Sequence, residues 1–156
     1  MVTGAVAAVA QQRPLIAGLE QPEAKSEAVR YLFPEQINLP AHKATAVALH
    51  FRIAPGLHIN AHQPLEKDLI ATSISIPEGM GVRLEGASYP KGALFALPED
   101  PSTRLLVYTG EFVVDAKVIA EPGEHLVEAK LRYQACDNRA CMPPRTIPIT
   151  IDVIGH

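Results

Sequence analysis

The stretch EFVVDAKVIAEPGEHLVEAKLRY, residues 111–133, decides the fold class of this chain. Apolar residues occupy every second position on both sides of a turn signal: Phe112, Val114, Ala116 and Val118, then Val127, Ala129, Leu131 and Tyr133. A period of two is typical of strands with one buried face. The intervening Glu121-Pro-Gly-Glu124 is a strong turn sequence. The stretch therefore predicts two half-buried strands joined by a turn.

The same alternation extends outward along most of the chain. Further strands are predicted at residues 46–53, 57–62, 70–76, 82–84, 105–108 and 147–153. Residues 94–103 have no clean period and contain two prolines, so they are predicted to form a loop. Seven or eight short strands separated by turn signals, with almost no helix, predict an all-β fold, an immunoglobulin-like antiparallel β-sandwich.

Length and composition narrow the class of protein. The 156 residues fit one domain, and 47% hydrophobic with 20% charged residues are typical of a folded chain. A net charge of −3 gives no general attraction to nucleic acid, so no nucleic-acid partner is expected. Aromatic residues make up only 5% and there is no Trp, which argues against a stacking platform for bases. No apolar run approaches the roughly 18 residues of a spanning helix.

The first residues read differently from the rest. Residues 1–28 are predicted to be a flexible tail, and residues 29–156 the domain. Ala8-Val9-Ala10 fits the end of a secretory signal, with an ordinary alanine-rich start as the alternative. Residues 23–30 fit one or two helical turns. An exported chain would reach a compartment that permits disulfides.

The two cysteines, Cys136 and Cys141, have four residues between them. Their closeness in an otherwise cysteine-free chain predicts a pair. A disulfide in so small a loop stabilises a fold by on the order of 2–3 kcal/mol at best, less than a bridge between distant strands. A redox role is therefore favoured, with a structural bridge as the alternative. Pro143 and Pro144 would stiffen the exit from Cys141.

Other polar residues carry weaker signals. His58, Asn60 and His62 alternate along one strand, so they would share a face. With Cys136, Cys141 and Met142 as soft ligands they allow a copper-site hypothesis, but polar residues on the outer face of a strand are the favoured interpretation and no metal is assigned. Tyr133, three residues before Cys136, is predicted to pack in the core.

The segment YQACDNRACMPP, residues 133–144, resembles the active-site segment of the N-terminal periplasmic domain of the thiol:disulfide interchange protein DsbD. Residues 55–60, 89–92 and 107–110 resemble further landmarks of that family, and the likeness covers residues 40–153. The resemblance implies an immunoglobulin-like sandwich whose two cysteines cycle between dithiol and disulfide. It implies electrons received from a thioredoxin-like domain, itself served by a membrane-embedded domain, and passed to periplasmic thiol–disulfide proteins.

The resemblance also implies roles for individual residues. Cys141 would make the mixed disulfide with partners and Cys136 would resolve it. This agrees with Pro143 fixing the direction of Cys141, and with Cys136 continuing the strand that ends at Tyr133 and so being less exposed. In place of the usual aromatic residue after the second cysteine, this chain has Met142.

The resemblance places two further groups beside the cysteines. The strand of His58 and Asn60 would lie next to the pair, where an imidazolium would lower a thiol pKa. Phe95, in the aperiodic segment 94–101, would shield the sulfurs as a protective cap; its alternative role is to anchor a loop in the core.

The sequence therefore predicts a periplasmic or secreted thiol–disulfide exchange domain, a thiol:disulfide oxidoreductase acting as a protein-disulfide reductase component. No bound cofactor is expected. The expected partners are thioredoxin-like domains or periplasmic thiol–disulfide proteins, through transient mixed disulfides, with a membrane-embedded electron donor. The alternatives are a non-catalytic binding module with a structural disulfide, and a copper-handling protein using Cys136, Cys141, Met142 and His58.

Overall fold

A computed structural model describes residues 27–32 and 35–156. These residues form twelve strands and contain no helix, hence none long and apolar enough to cross a membrane. The strands are β1 (Val29–Leu32), β2 (Ile37–Leu39), β3 (Thr45–Ile53), β4 (His58–Asn60), β5 (Ser73–Ser75), β6 (Val82–Ser88), β7 (Ala93–Ala96), β8 (Arg104–Tyr108), β9 (Glu111–Ala120), β10 (Gly123–Tyr133), β11 (Ala135–Cys136) and β12 (Arg145–Gly155).

Three four-stranded sheets organise these strands, in the orders β1-β3-β9-β6, β2-β12-β10-β5 and β11-β4-β8-β7. The inward residues of the first two sheets share one apolar core. All strand pairs are antiparallel except β2 with β12. Two packed, mainly antiparallel sheets confirm the predicted all-β, immunoglobulin-like sandwich. The third, called here the end sheet, contains Cys136 in β11.

The stretch 111–133 becomes β9 and β10, and the two strands lie in different large sheets. Directly after their turn, β10 begins with Gly123 at φ of +107°, a conformation that residues with a side chain rarely adopt. The apolar positions of both strands are buried, from Phe112 at 6% exposure to Leu131 at 0%. Each of the two strands therefore contributes an apolar face of its own sheet to the core.

Two of the local expectations were wrong. Residues 93–96 form β7 rather than the start of a loop, because their backbone pairs with β8 although most of their side chains are exposed. Residues 29 and 30 belong to β1 rather than to a helical turn, since β1 pairs with β3. Ala28, directly before β1, is buried at 4% exposure, and its carbonyl accepts a hydrogen bond from the Ala54 backbone amide. The proposed tail-to-domain boundary stays a prediction, as residues 1–26 lie outside the described part.

Candidate thiol–disulfide site

Cys136 and Cys141 are joined by a disulfide, with their Cα atoms 3.9 Å apart. Cys136 ends β11 and is only 2% exposed, whereas Cys141 is exposed. The two residues also face each other in an isolated antiparallel bridge. The pair therefore consists of one buried and one exposed cysteine.

The backbone around the pair forms a tight hairpin, residues 135–142, called here the redox hairpin. The Met142 amide donates to the Ala135 carbonyl at 2.8 Å, and the Asp137 amide donates to the Ala140 carbonyl at 3.0 Å. The Asp137 carboxylate accepts from the amides of Ala140 (2.8 Å) and Arg139 (2.7 Å), an Asx turn. These hydrogen bonds hold the Asp137 pKa below its ordinary value. The hairpin is thus held by bonds other than the disulfide.

The end sheet places His58 directly opposite Cys136. In the antiparallel pairing of β4 and β11, Cys136 is the Cα partner of His58 and Ala135 that of Ile59. Directly opposed residues point to the same face of a sheet, with Cβ atoms about 4.5–5.5 Å apart. The His58 side chain therefore lies beside that of Cys136.

His58 and Asn60 are buried, at 2% and 0% exposure, so the expectation of an outer, solvent-facing strand face was wrong for both. β4 lies between β11 and β8, and the Phe95 ring of β7 packs on the His58 ring with centroids 4.4 Å apart. The alternation of residues along β4 cannot reveal that Phe95 covers the His58 ring, because Phe95 lies in a distant part of the chain. Phe95 itself is half-buried, and its role as a cap stays a prediction.

His62 does not join this face. Its ring stacks on Tyr89 with centroids 3.7 Å apart, and its Nδ1 lies 2.8 Å from the Thr72 carbonyl oxygen. Among the residues that the structure describes, no group of three or more His, Cys, Asp and Glu side chains is placed to hold a metal ion.

Electrostatics around His58 favour a neutral ring. Burial lowers its pKa, and the nearby Asp137 carboxylate partly offsets this. Its Nε2 atom is buried without a hydrogen-bond partner in the described part of the chain. Burial therefore works against the imidazolium that the sequence analysis placed beside the thiols.

A hydrogen-bond relay that the sequence analysis missed connects β4 with the far side of the redox hairpin. The side-chain Nδ2 of Asn60 donates to the Ile70 carbonyl at 3.1 Å and to Gln134 Oε1 at 3.4 Å. Gln134 Nε2 then donates to the Met142 carbonyl at 3.2 Å. Gln134 stands in the Tyr-Gln pair of the family-like segment, but its partner Asn60 is 74 residues away in sequence. No local pattern signals that contact.

The remaining predicted site residues surround the hairpin. Tyr133 is fully buried, in agreement with its predicted place in the core, and burial raises its phenol pKa. Met142 is 38% exposed, and Pro143 is exposed next to it. The surface that leads away from Cys141 is therefore open to a partner.

An open groove of about 610 Å³ runs beside the hairpin. His58, Phe95 and Asn138 are among its lining residues, as are Arg52 and Glu111, which form an ion pair. The buried side of the redox pair is thus close to a path to solvent.

Comparison with known proteins gives a family match and a similar solved structure. The family described as "Thiol:disulfide interchange protein DsbD, N-terminal" matches residues 28–152. Among solved structures, the crystal structure of the Neisseria meningitidis DsbD N-terminal domain in the reduced form is similar, at 22% sequence identity and a TM-score of 0.49. That match covers 74% of this chain and 82% of the Neisseria chain. No curated protein has a matching sequence.

The family match spans most of the chain and includes the whole redox hairpin, β4 and β7. The family of DsbD N-terminal domains takes part in thiol–disulfide relays with thioredoxin-like partners. A close cysteine pair joined as a disulfide is the group that such exchange requires. The chain therefore belongs to the family of DsbD N-terminal domains, and it is a thiol–disulfide exchange domain.

Proposed function

We propose that this domain is a thiol:disulfide oxidoreductase, the protein-disulfide reductase component of an electron relay, with Cys141 as the cysteine that meets the partner. The observation that carries the proposal is the unequal exposure of the pair: Cys141 is exposed, while Cys136 is 2% exposed. Exchange needs an incoming sulfur to reach the attacked sulfur along the disulfide axis. Only an accessible sulfur allows that approach to another protein.

The exchange then has two balanced steps. In the dithiol form, the Cys141 thiolate attacks a partner disulfide, forms a mixed disulfide, and displaces one partner thiolate. The Cys136 thiolate next attacks Cys141 Sγ, which forms the Cys136–Cys141 disulfide and releases the second partner thiolate. The partner gains two electrons and, after protonation, two protons, and the domain loses the same number.

A thioredoxin-like donor would reverse these steps. Its thiolate would attack the exposed Cys141 Sγ of the disulfide form and leave Cys136 as the first free thiol. A membrane-embedded domain upstream of that donor and periplasmic thiol–disulfide proteins downstream complete the proposed relay. The proposal includes a periplasmic or secreted location, because such compartments allow disulfides to persist.

The surrounding residues have supporting roles in the proposal. Asn60 positions the hairpin through Gln134, and Pro143 limits the directions that the chain takes after Cys141. Tyr133 anchors the end of β10 in the core directly before the hairpin. Met142 offers an apolar contact beside the exchanging sulfur.

Trapping of mixed disulfides tests the assignment. Reduced Cys136→Ser is expected to accumulate a stable mixed disulfide with a thioredoxin-like protein or a small disulfide, because no thiol remains to resolve it. Cys141→Ser is expected to form far less, since its remaining thiol is buried. Mass spectrometry of both variants and the Cys136→Ser/Cys141→Ser control gives the yields. Accumulation in Cys141→Ser alone would reverse the roles of the two cysteines.

Reduction potential separates this function from a structural bridge. A structural disulfide is expected below about −300 mV, whereas an exchanging pair lies near the potentials of thioredoxin-like proteins, about −270 mV to −120 mV. A pair that stays oxidised across that whole range of redox buffers would contradict the proposal.

A further inference from the structure

The buried half of the redox pair raises a chemical problem. Cys136 must lose its proton to attack Cys141 in the mixed disulfide, because the thiolate is the nucleophile. At 2% exposure, however, its thiol is screened from water, and burial favours the neutral form of a thiol. The resolving step therefore needs a proton acceptor inside the domain.

His58 has the position and the free atom for this task. It is the cross-strand partner of Cys136 in β4, on the same face of the end sheet. Its Nε2 atom is buried, and no group in residues 27–32 or 35–156 hydrogen-bonds to it in the disulfide form. Buried polar atoms are nearly always paired, so an unpaired one calls for an explanation. A disulfide has no proton to donate, whereas reduction creates a Cys136 S–H group on the same face.

We propose that His58 is the general base of the resolving step: its Nε2 takes the Cys136 proton as Cys136 Sγ attacks Cys141 Sγ and the partner thiolate leaves. The role rests on the proposed function, in which Cys136 resolves a mixed disulfide at Cys141. The proton then passes from the imidazolium to the departing thiolate or to water in the groove lined by His58 and Phe95. The bond that forms is Cys136–Cys141, and the bond that breaks is Cys141–partner.

The surroundings suit a base rather than a permanent cation. Phe95 covers the ring and burial keeps His58 neutral, so in the Nδ1–H tautomer Nε2 carries a lone pair. Asp137, on the hairpin beside the ring, stabilises the imidazolium once it forms.

Charged groups farther out leave this arrangement intact. Arg139 acts on Asp137 from within the hairpin, and Arg52 and Glu111, which also line the groove, neutralise each other as an ion pair. On β8, Tyr108 stays neutral because burial raises its pKa.

Stopped-flow reaction with a nitrobenzoate disulfide, which releases a coloured aromatic thiol, separates the two steps. Excess reagent makes the attack by Cys141 fast, and it releases the first equivalent. Release of the second equivalent then reports the unimolecular attack by Cys136. Reduced Cys136→Ser should release one equivalent only. If the wild-type protein released none, the proposed function and this inference would both fail.

The proposal predicts that His58→Phe, which keeps an aromatic ring against Phe95, slows the second phase on the order of 100-fold at neutral pH. His58→Gln, which offers a hydrogen bond but no base, should slow it similarly. The difference should vanish at alkaline pH, where hydroxide deprotonates Cys136. The first phase should stay unchanged, and His125→Gln, in a distant part of β10, should behave as wild type.

A second-phase rate in His58→Phe within twofold of the wild-type rate at neutral pH would overturn the proposal while leaving the proposed function intact. A slowing that persists unchanged at alkaline pH would also overturn it, since that would mark a packing role. Thermal unfolding of both reduced variants checks that they are folded.

Discussion

The core between the two large sheets and the end sheet around β4 bury their residues by different means. In the core, apolar side chains from β3, β9, β10 and β12 fill the space between the sheets. Every buried polar residue of the described part instead belongs to β4 or contacts it: His58, Asn60, and Thr72, whose hydroxyl donates to the Asn60 carbonyl at 2.6 Å. Stability and chemistry are thus carried by separate parts of one domain.

The difference has an energetic basis. Apolar burial contributes roughly 25 cal/mol per Å² and tolerates many combinations of side chains. A buried polar group contributes little net stability when paired and costs about 1–3 kcal/mol when a partner is lost. The long strands β9, β10 and β12 therefore hold the domain together, while the two- and three-residue strands β11 and β4 hold particular atoms in place.

The largest expected effect sharpens this division. Leu131→Ala removes a fully buried side chain of β10 and is expected to lower the free energy of unfolding by about 2–5 kcal/mol. The thiol–disulfide equilibrium with glutathione should not change, because Leu131 lies in the core. Leu126→Ala in the same strand, at 66% exposure, is the matched control and should cost less than about 0.5 kcal/mol. A shifted redox equilibrium in Leu131→Ala would break the division.

A smaller effect is expected for a substitution beside the redox hairpin. Gln134→Glu removes the donor to the Met142 carbonyl, so the chain after Cys141 is held less firmly when the disulfide is open. One hydrogen bond is worth about 1 kcal/mol, so the equilibrium constant for disulfide formation against glutathione should fall about fivefold. Gln63→Glu makes the same change at an exposed site and should leave the constant unaltered. Equal constants in both variants would remove Gln134 from the positioning of Cys141.

The smallest expected effect concerns the cover over the end sheet. Phe95→Ala uncovers the His58 ring and the buried face beside Cys136. In a Cys141→Ser background, alkylation of Cys136 should become about threefold faster, within the range that loss of the Phe95–His58 ring contact allows, with little change in melting temperature. Leu94→Ala, at a neighbouring residue that is 64% exposed, is the control. An unchanged rate, or a large fall in melting temperature, would mean that Phe95 is a structural anchor instead.

Local sequence predicted the strands that have one solvent-exposed face and one buried face. β3, β9, β10 and β12 alternate apolar and polar residues, so a window of a few residues contains the signal. β7 was missed because most of its side chains are exposed, and it is a strand only through its pairing with β8. The cysteine pair was visible because its two members lie in one short loop.

What the sequence determined by itself, then, was the sandwich and the location of the redox pair, since both depend on neighbours along the chain. The tertiary structure decided which cysteine is exposed, that His58 and Asn60 are buried, and that Gln134 connects β4 to Met142. These features arise where β4, β7 and the redox hairpin meet, which are segments separated by tens of residues. Burial and hydrogen bonding depend on what covers a side chain in space, and periodicity along one strand carries no information about that cover.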